Sequence, residues 1–140
     1  MSADLLSWLR SVIEGDKAVA EALPHGPWRV EMSERRYPQQ ISNAQAILIA
    51  ETTTGPEHEP VIANYIALHD PRDTIARCDA ELAILDQVLP EVRRVAIRLA
   101  EEFGGMWPDD MLTSSETLLL TTLASGYRHR EGFNPAWLES

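Results

Sequence analysis

Residues 60–85, PVIANYIALHDPRDTIARCDAELAIL, decide how the centre of this chain is read, because a helix stop and a helix start meet inside them. Ile62, Tyr65, Ile66 and His69 recur at i, i+3, i+4 and i+7, the spacing of one helical face, and Pro60 suits a first helical position, where its missing N–H is not needed. A strand is the weaker fit to the same residues. Asp70 then offers a carboxylate as an N-cap, with Pro71 at the first position and Asp73 at the third. One helix is therefore predicted to end at His69 and the next to begin at once. The triplet HDP also has a chemical reading, since a histidine titrates near neutral pH and an aspartate can hold its tautomer, which makes His69 with Asp70 a candidate acid–base or ligand site. Adjacent residues seldom reach that geometry, and the helix joint accounts for the triplet without it.

The helix that follows carries the strongest periodicity in the chain. Ile75, Cys78, Leu82, Leu85, Leu89, Val92, Ala96, Leu99 and Phe103 alternate spacings of three and four, the pattern of a seam along which one helix lies on another, and Ile84, Val88 and Val95 widen it. Pro90 interrupts this stretch. A proline inside a helix removes a hydrogen bond and crowds the carbonyl four residues earlier, at a cost of about 3 kcal/mol, so either a kink near residues 86–89 or two helices are expected. The unbroken phasing favours the kink. Residues 71–103 as one helix would measure about 50 Å, more than a compact domain of this size needs. A partner protein or a second copy is the expected cover, with Leu85, Val92, Leu99, Trp107 and Trp137 as the candidate interaction surface.

Working outward, Leu5, Trp8, Leu9, Val12, Ile13, Val19 and Leu23 predict an amphipathic first helix after Ser2, weakened at Gly15 and stopped by Pro24, Gly26 and Pro27. WRVEMSE at residues 28–34 alternates apolar and polar side chains, and AILIAETT at 46–53 is rich in β-formers, so a small antiparallel sheet of two or three strands is expected to pack on a helix. Beyond Gly104 and Gly105 a linker is expected through residue 115. Thr113 and Glu116 form a capping box for a last helix that Gly126 stops, and Asn134 with Pro135 caps a short final turn. The predicted fold is α+β in a single domain over residues 1–140.

Composition narrows the function classes. Twelve basic against twenty-two acidic residues give a formal charge of −10, which disfavours an electrostatic grip on nucleic acid or anionic lipid. The same charge suggests an acidic decoy that imitates DNA as one alternative. Cys78 is the only cysteine, so neither an intramolecular disulfide nor a paired-cysteine zinc site is available, and a cytoplasmic location is expected. No run approaches the roughly 20 apolar residues that span a bilayer.

His25, His58, His69 and His129 are scattered, with no local ligand signature, and no metal or cofactor is expected. If a ligand site exists, His69, Asp70 and His129 are its candidates. Ser114 and Ser115 lack the turn of a nucleophile, and no glycine-rich phosphate loop is present. Arg93, Arg94 and Arg98 read as a solvated face, because the start of the second helix, DPRDTIARCDAE, carries acids where a DNA-reading helix carries basic and amide groups.

Four segments together carry a resemblance: DLLSWLR near the start, GPWR after the first helix, IALHDPRDTIARCDAELAIL at the centre and LLLTTLASGYRHREGFNPAW near the end. They resemble a family of small actinobacterial and actinophage proteins of unknown function, domain of unknown function six-two-two-one. GPW, a short helix, the joint and a further helix are also similar to small early-region proteins of tailed phages. Neither resemblance implies an activity. The sequence thus points to a non-enzymatic interaction protein associated with phages or mobile elements, with a small enzyme or metal-binding protein as the alternative.

Overall fold

The computed structural model describes residues 2–24, 26–31, 39–52, 59–103 and 109–139. Helices and one three-stranded antiparallel sheet make an α+β fold, and the chain divides into two compact units, Asp16–Cys78 and Met1–Gly15 with Asp79–Ser140.

In the unit Asp16–Cys78, β1 (Arg29–Glu31), β2 (Gln39–Ser42) and β3 (Leu48–Thr52) form the sheet in the order β1-β2-β3. The register pairs Val30 with Ile41 and Ile41 with Ala50, so one face is apolar at its centre. Helix α2 (Glu59–Leu68) packs on all three strands and closes over that face, with Ile41 and Ala63 fully buried. Three short strands could not hold together without such a cover. The turn between β2 and β3 is held by the buried Asn43, whose side-chain oxygen accepts from the N–H groups of Gln45 at 3.1 Å and Ile47 at 2.9 Å. Asparagine is suited to this because its side chain can imitate a backbone acceptor. The central strand, QQIS, escapes the sequence reading, since a single isoleucine among polar residues gives no alternation to detect.

The inward face of α2 also differs from the expected one. Ala63 is buried and Ile62, Ile66 and Ala67 are half-buried, whereas Tyr65 and His69 are exposed. Small residues let the helix sit close to the sheet, and the larger Tyr65 is left outside. After Asp70, helix α3 (Pro71–Ala83) starts in this unit and runs into the other.

Helix α1 (Ser2–Ala22) belongs to the second unit as far as Gly15, where Leu5, Leu9 and Ile13 are buried, and to the unit Asp16–Cys78 from there on. Later along α1 the apolar face turns: Ala20 is buried while Val19 and Leu23, expected inside, are exposed. From Pro71 to Glu102 the chain is helical throughout, as α3, a π-helical turn at Ile84–Val88, and α4 (Leu89–Glu102). The Leu89 N–H donates to the carbonyl of Ile84, five residues back. That wider turn is the response to Pro90, which has no N–H for the carbonyl of Asp86 and whose ring would crowd it. Helix α5 (Asp109–Ser125) packs on α4. It starts at Asp109, ahead of the expected cap at Thr113. A 3₁₀ turn at Pro135–Leu138 closes the unit, capped as expected by Asn134, whose Oδ1 accepts from the Ala136 N–H at 3.1 Å. No described helix is long and apolar enough to cross a membrane.

Candidate functional site

Asp70 is 3% exposed, and its carboxylate is fully engaged. Oδ1 accepts from the Arg72 backbone N–H at 2.7 Å, which is the N-cap bond of α3. Oδ2 accepts from the Trp28 backbone N–H at 3.2 Å and from Arg72 Nη2 at 3.0 Å. The Asp70 carbonyl also accepts from the N–H of Thr74 at 3.2 Å, the first regular bond of the helix. Burial pushes the Asp70 carboxyl up, but the hydrogen bonds from the Arg72 side chain and from the two backbone N–H groups, with the Arg72 charge, together bring it below the usual carboxylate range. The chain approaches closely on the other side, where a Cβ placed on Gly26 would lie 2.2 Å from Oδ2. Asp70 thereby ties the segment entering β1 to the start of α3.

His69 stacks edge-on against Tyr65, with ring centroids 4.4 Å apart, both being exposed. His129 lies in the other unit, where its Nε2 accepts from Arg128 Nε at 3.1 Å. Among the described residues no group of three His, Cys, Asp or Glu side chains is placed to hold a metal ion. Cys78 is fully buried.

The candidate interaction residues divide by burial. Trp137 is 8% exposed and packs against Trp8 and Phe133, with ring centroids 5.0 and 5.8 Å away. Leu85 is likewise buried, so neither presents an anchor on the surface of its unit. The reason for Trp137 is local: the indole of Trp8 donates to the Glu131 carbonyl at 3.1 Å, and the tail it holds brings Phe133 and Trp137 onto the ring. Gly132, at φ +77°, permits this, since a Cβ there would lie 3.0 Å from the Trp8 nitrogen. Trp107 lies outside the described residues.

Along α4 the seam holds at Leu89, which is buried, and at Val92 and Ala96, which are half-buried, and then opens. Leu99 is 41% exposed and Phe103 48%, with Val88 and Val95 also exposed. Val88, Val95, Leu99 and Phe103 follow one another by seven, four and four residues, so they form an exposed ridge flanking the half-buried Val92 and Ala96. The ridge has charged neighbours. Arg94 pairs with Glu91 through Nε to Oε2 at 2.9 Å, and Arg93 makes a two-pronged pair with Glu116 of α5, one prong at 2.8 Å. The Arg93 hydrogen bond holds the Glu116 carboxyl below its usual range.

No curated protein and no solved structure matches the chain. Segments at both ends and at the centre, organised around the Asp70 joint and the Trp8 cluster, are those that resemble the family described as "Family of unknown function (DUF6221)"; its model matches residues 2–139, and the chain belongs to it.

Proposed function

We propose that this protein is a non-enzymatic interaction module that presents the ridge of α4 to a protein partner. The observation that carries this reading is the exposure of Val88, Val95, Leu99 and Phe103 at helical spacing on a helix otherwise rich in Arg and Glu. An exposed apolar ridge on a charged helix has the pattern used by helix-in-groove and helix-on-helix contacts. The engagement of Asp70 by four donors from Arg72 and Trp28 favours its role as a joint over an acid–base role with His69. Association with phages or mobile elements, and a cytoplasmic setting, rest on the resemblance of the matched segments and on the acidic, single-cysteine composition.

The test is affinity capture with the wild-type chain and with a Val95→Asp/Leu99→Asp variant, followed by reconstitution of any partner from purified components. Both positions are exposed, so the variant should keep its helicity and remain within about 0.5 kcal/mol of wild-type stability. Loss of the reconstituted complex is the expected result. Equal binding by the variant would remove the ridge from the interface.

A further inference from the structure

We propose that the outer edge of β1 pairs with the same edge of a second copy of this chain, antiparallel and centred on Val30. This surface lies in the unit Asp16–Cys78 and uses none of the α4 residues, so it stands apart from the reading above. Strand β1 is an edge of the described sheet. An edge strand leaves backbone N–H and C=O groups without ladder partners and is a template for a further strand. Next to this edge an open groove of about 770 Å³ runs between Trp28, Arg29 and Val30 on the strand side and Val61, Tyr65 and Leu68 on α2. The three α2 side chains are 70%, 64% and 69% exposed. The Trp28 N–H is already taken by Asp70, so among the described residues the edge runs over Arg29–Glu31.

The choice of occupant comes from charge. In a two-fold antiparallel pair, residue i of one copy faces j of the other and j faces i. Centring on Val30 sets Arg29 opposite Glu31 of the second copy and Glu31 opposite its Arg29. Both side chains are exposed, and being two residues apart they project from the same face; Oε1 of Glu31 accepts from the Ser42 hydroxyl of β2, so the pairing across copies falls to its second carboxylate oxygen. Arg29 has no ionic partner among the described residues, whereas Arg72 and Arg77 of the same unit are paired with Asp70 and Asp16. A shift of the two-fold onto residue 29 would set arginine against arginine, and onto residue 31 glutamate against glutamate. Opposite charges across strands favour a register and like charges oppose it. The other edge, β3, has no such match, since a two-fold on Ala50 places Glu51 opposite Ile49.

Sedimentation velocity over a concentration series tests this with the full chain. The wild type should dimerise, and Arg29→Glu and Glu31→Arg, which each create two like-charge pairs per dimer, should each weaken dimerisation on the order of tenfold. An equimolar mixture of the two variants restores opposite signs at both pairs and should recover the dimer. That recovery also shows that both variants are folded. Leu99→Asp should leave the dimer intact. A wild type that stays monomeric at every concentration, single variants as dimeric as the wild type, or a mixture no more associated than its components would each overturn the proposal. So would a dimer lost through Leu99→Asp and untouched by Arg29→Glu.

Discussion

Asp70 joins three parts of its unit through one carboxylate: the α3 terminus, the Trp28 backbone and the guanidinium of Arg72. Replacing it with alanine removes the cap and leaves the partly buried Trp28 N–H short of an acceptor. A loss of about 1–2 kcal/mol is expected, read from urea unfolding of Asp70→Ala. The lowered folded-state acidity gives this stabilisation a pH signature. The unfolded carboxyl, at its ordinary value near 3.9, binds a proton more readily than the folded one. Stabilisation from Asp70 is therefore complete above about pH 4 and is lost as pH falls through the lower, folded value. Asp70→Ala should accordingly have a shallower acid-side decline than the wild type, and an unchanged slope would show that the carboxylate is not the acid-sensitive group. The cap was legible because Asp, Pro and a third-position acid are a local code. The Trp28 bond was not, as it spans 42 residues.

Gly15 lies inside α1, and nothing lies within 4 Å of where its Cβ would be. Gly15→Ala should therefore stabilise the chain by about 0.5–1 kcal/mol through helix propensity alone, visible as a raised denaturation midpoint. Elements whose signal is periodic were readable in advance: α1, the joint after α2, and the continuous helical stretch from Pro71 to Glu102. Pro90 announced a disturbance but not its form, because a kink, a break and a π turn all answer the same missing N–H. The outward drift of the seam at Leu99 and Phe103 was also hidden, since periodicity marks which side chains share a face and not how far their cover extends. Strand β2 was hidden for the opposite reason: its place is set by hydrogen bonds to β1 and β3 and not by its own side chains.

The unit containing Trp8 is assembled from chain segments distant in sequence. Trp137 was expected as an exposed anchor because its neighbours are polar; instead it is covered, Trp8 lying 5.0 Å away. Trp137→Ala should consequently cost about 3 kcal/mol or more and lower the melting temperature, since a large aromatic leaves a void. A melting temperature equal to that of the wild type would mean that Trp137 has no structural role. Trp8 and the Glu131 carbonyl that accepts its indole N–H are 123 residues apart, while Asp16–Cys78 holds all its own parts in one uninterrupted stretch. Closing so large a loop is entropically costly and late in most folding reactions. A growing chain therefore holds all of Asp16–Cys78 before the segment around Glu131 exists, and the indole of Trp8 must wait for an acceptor 123 residues downstream.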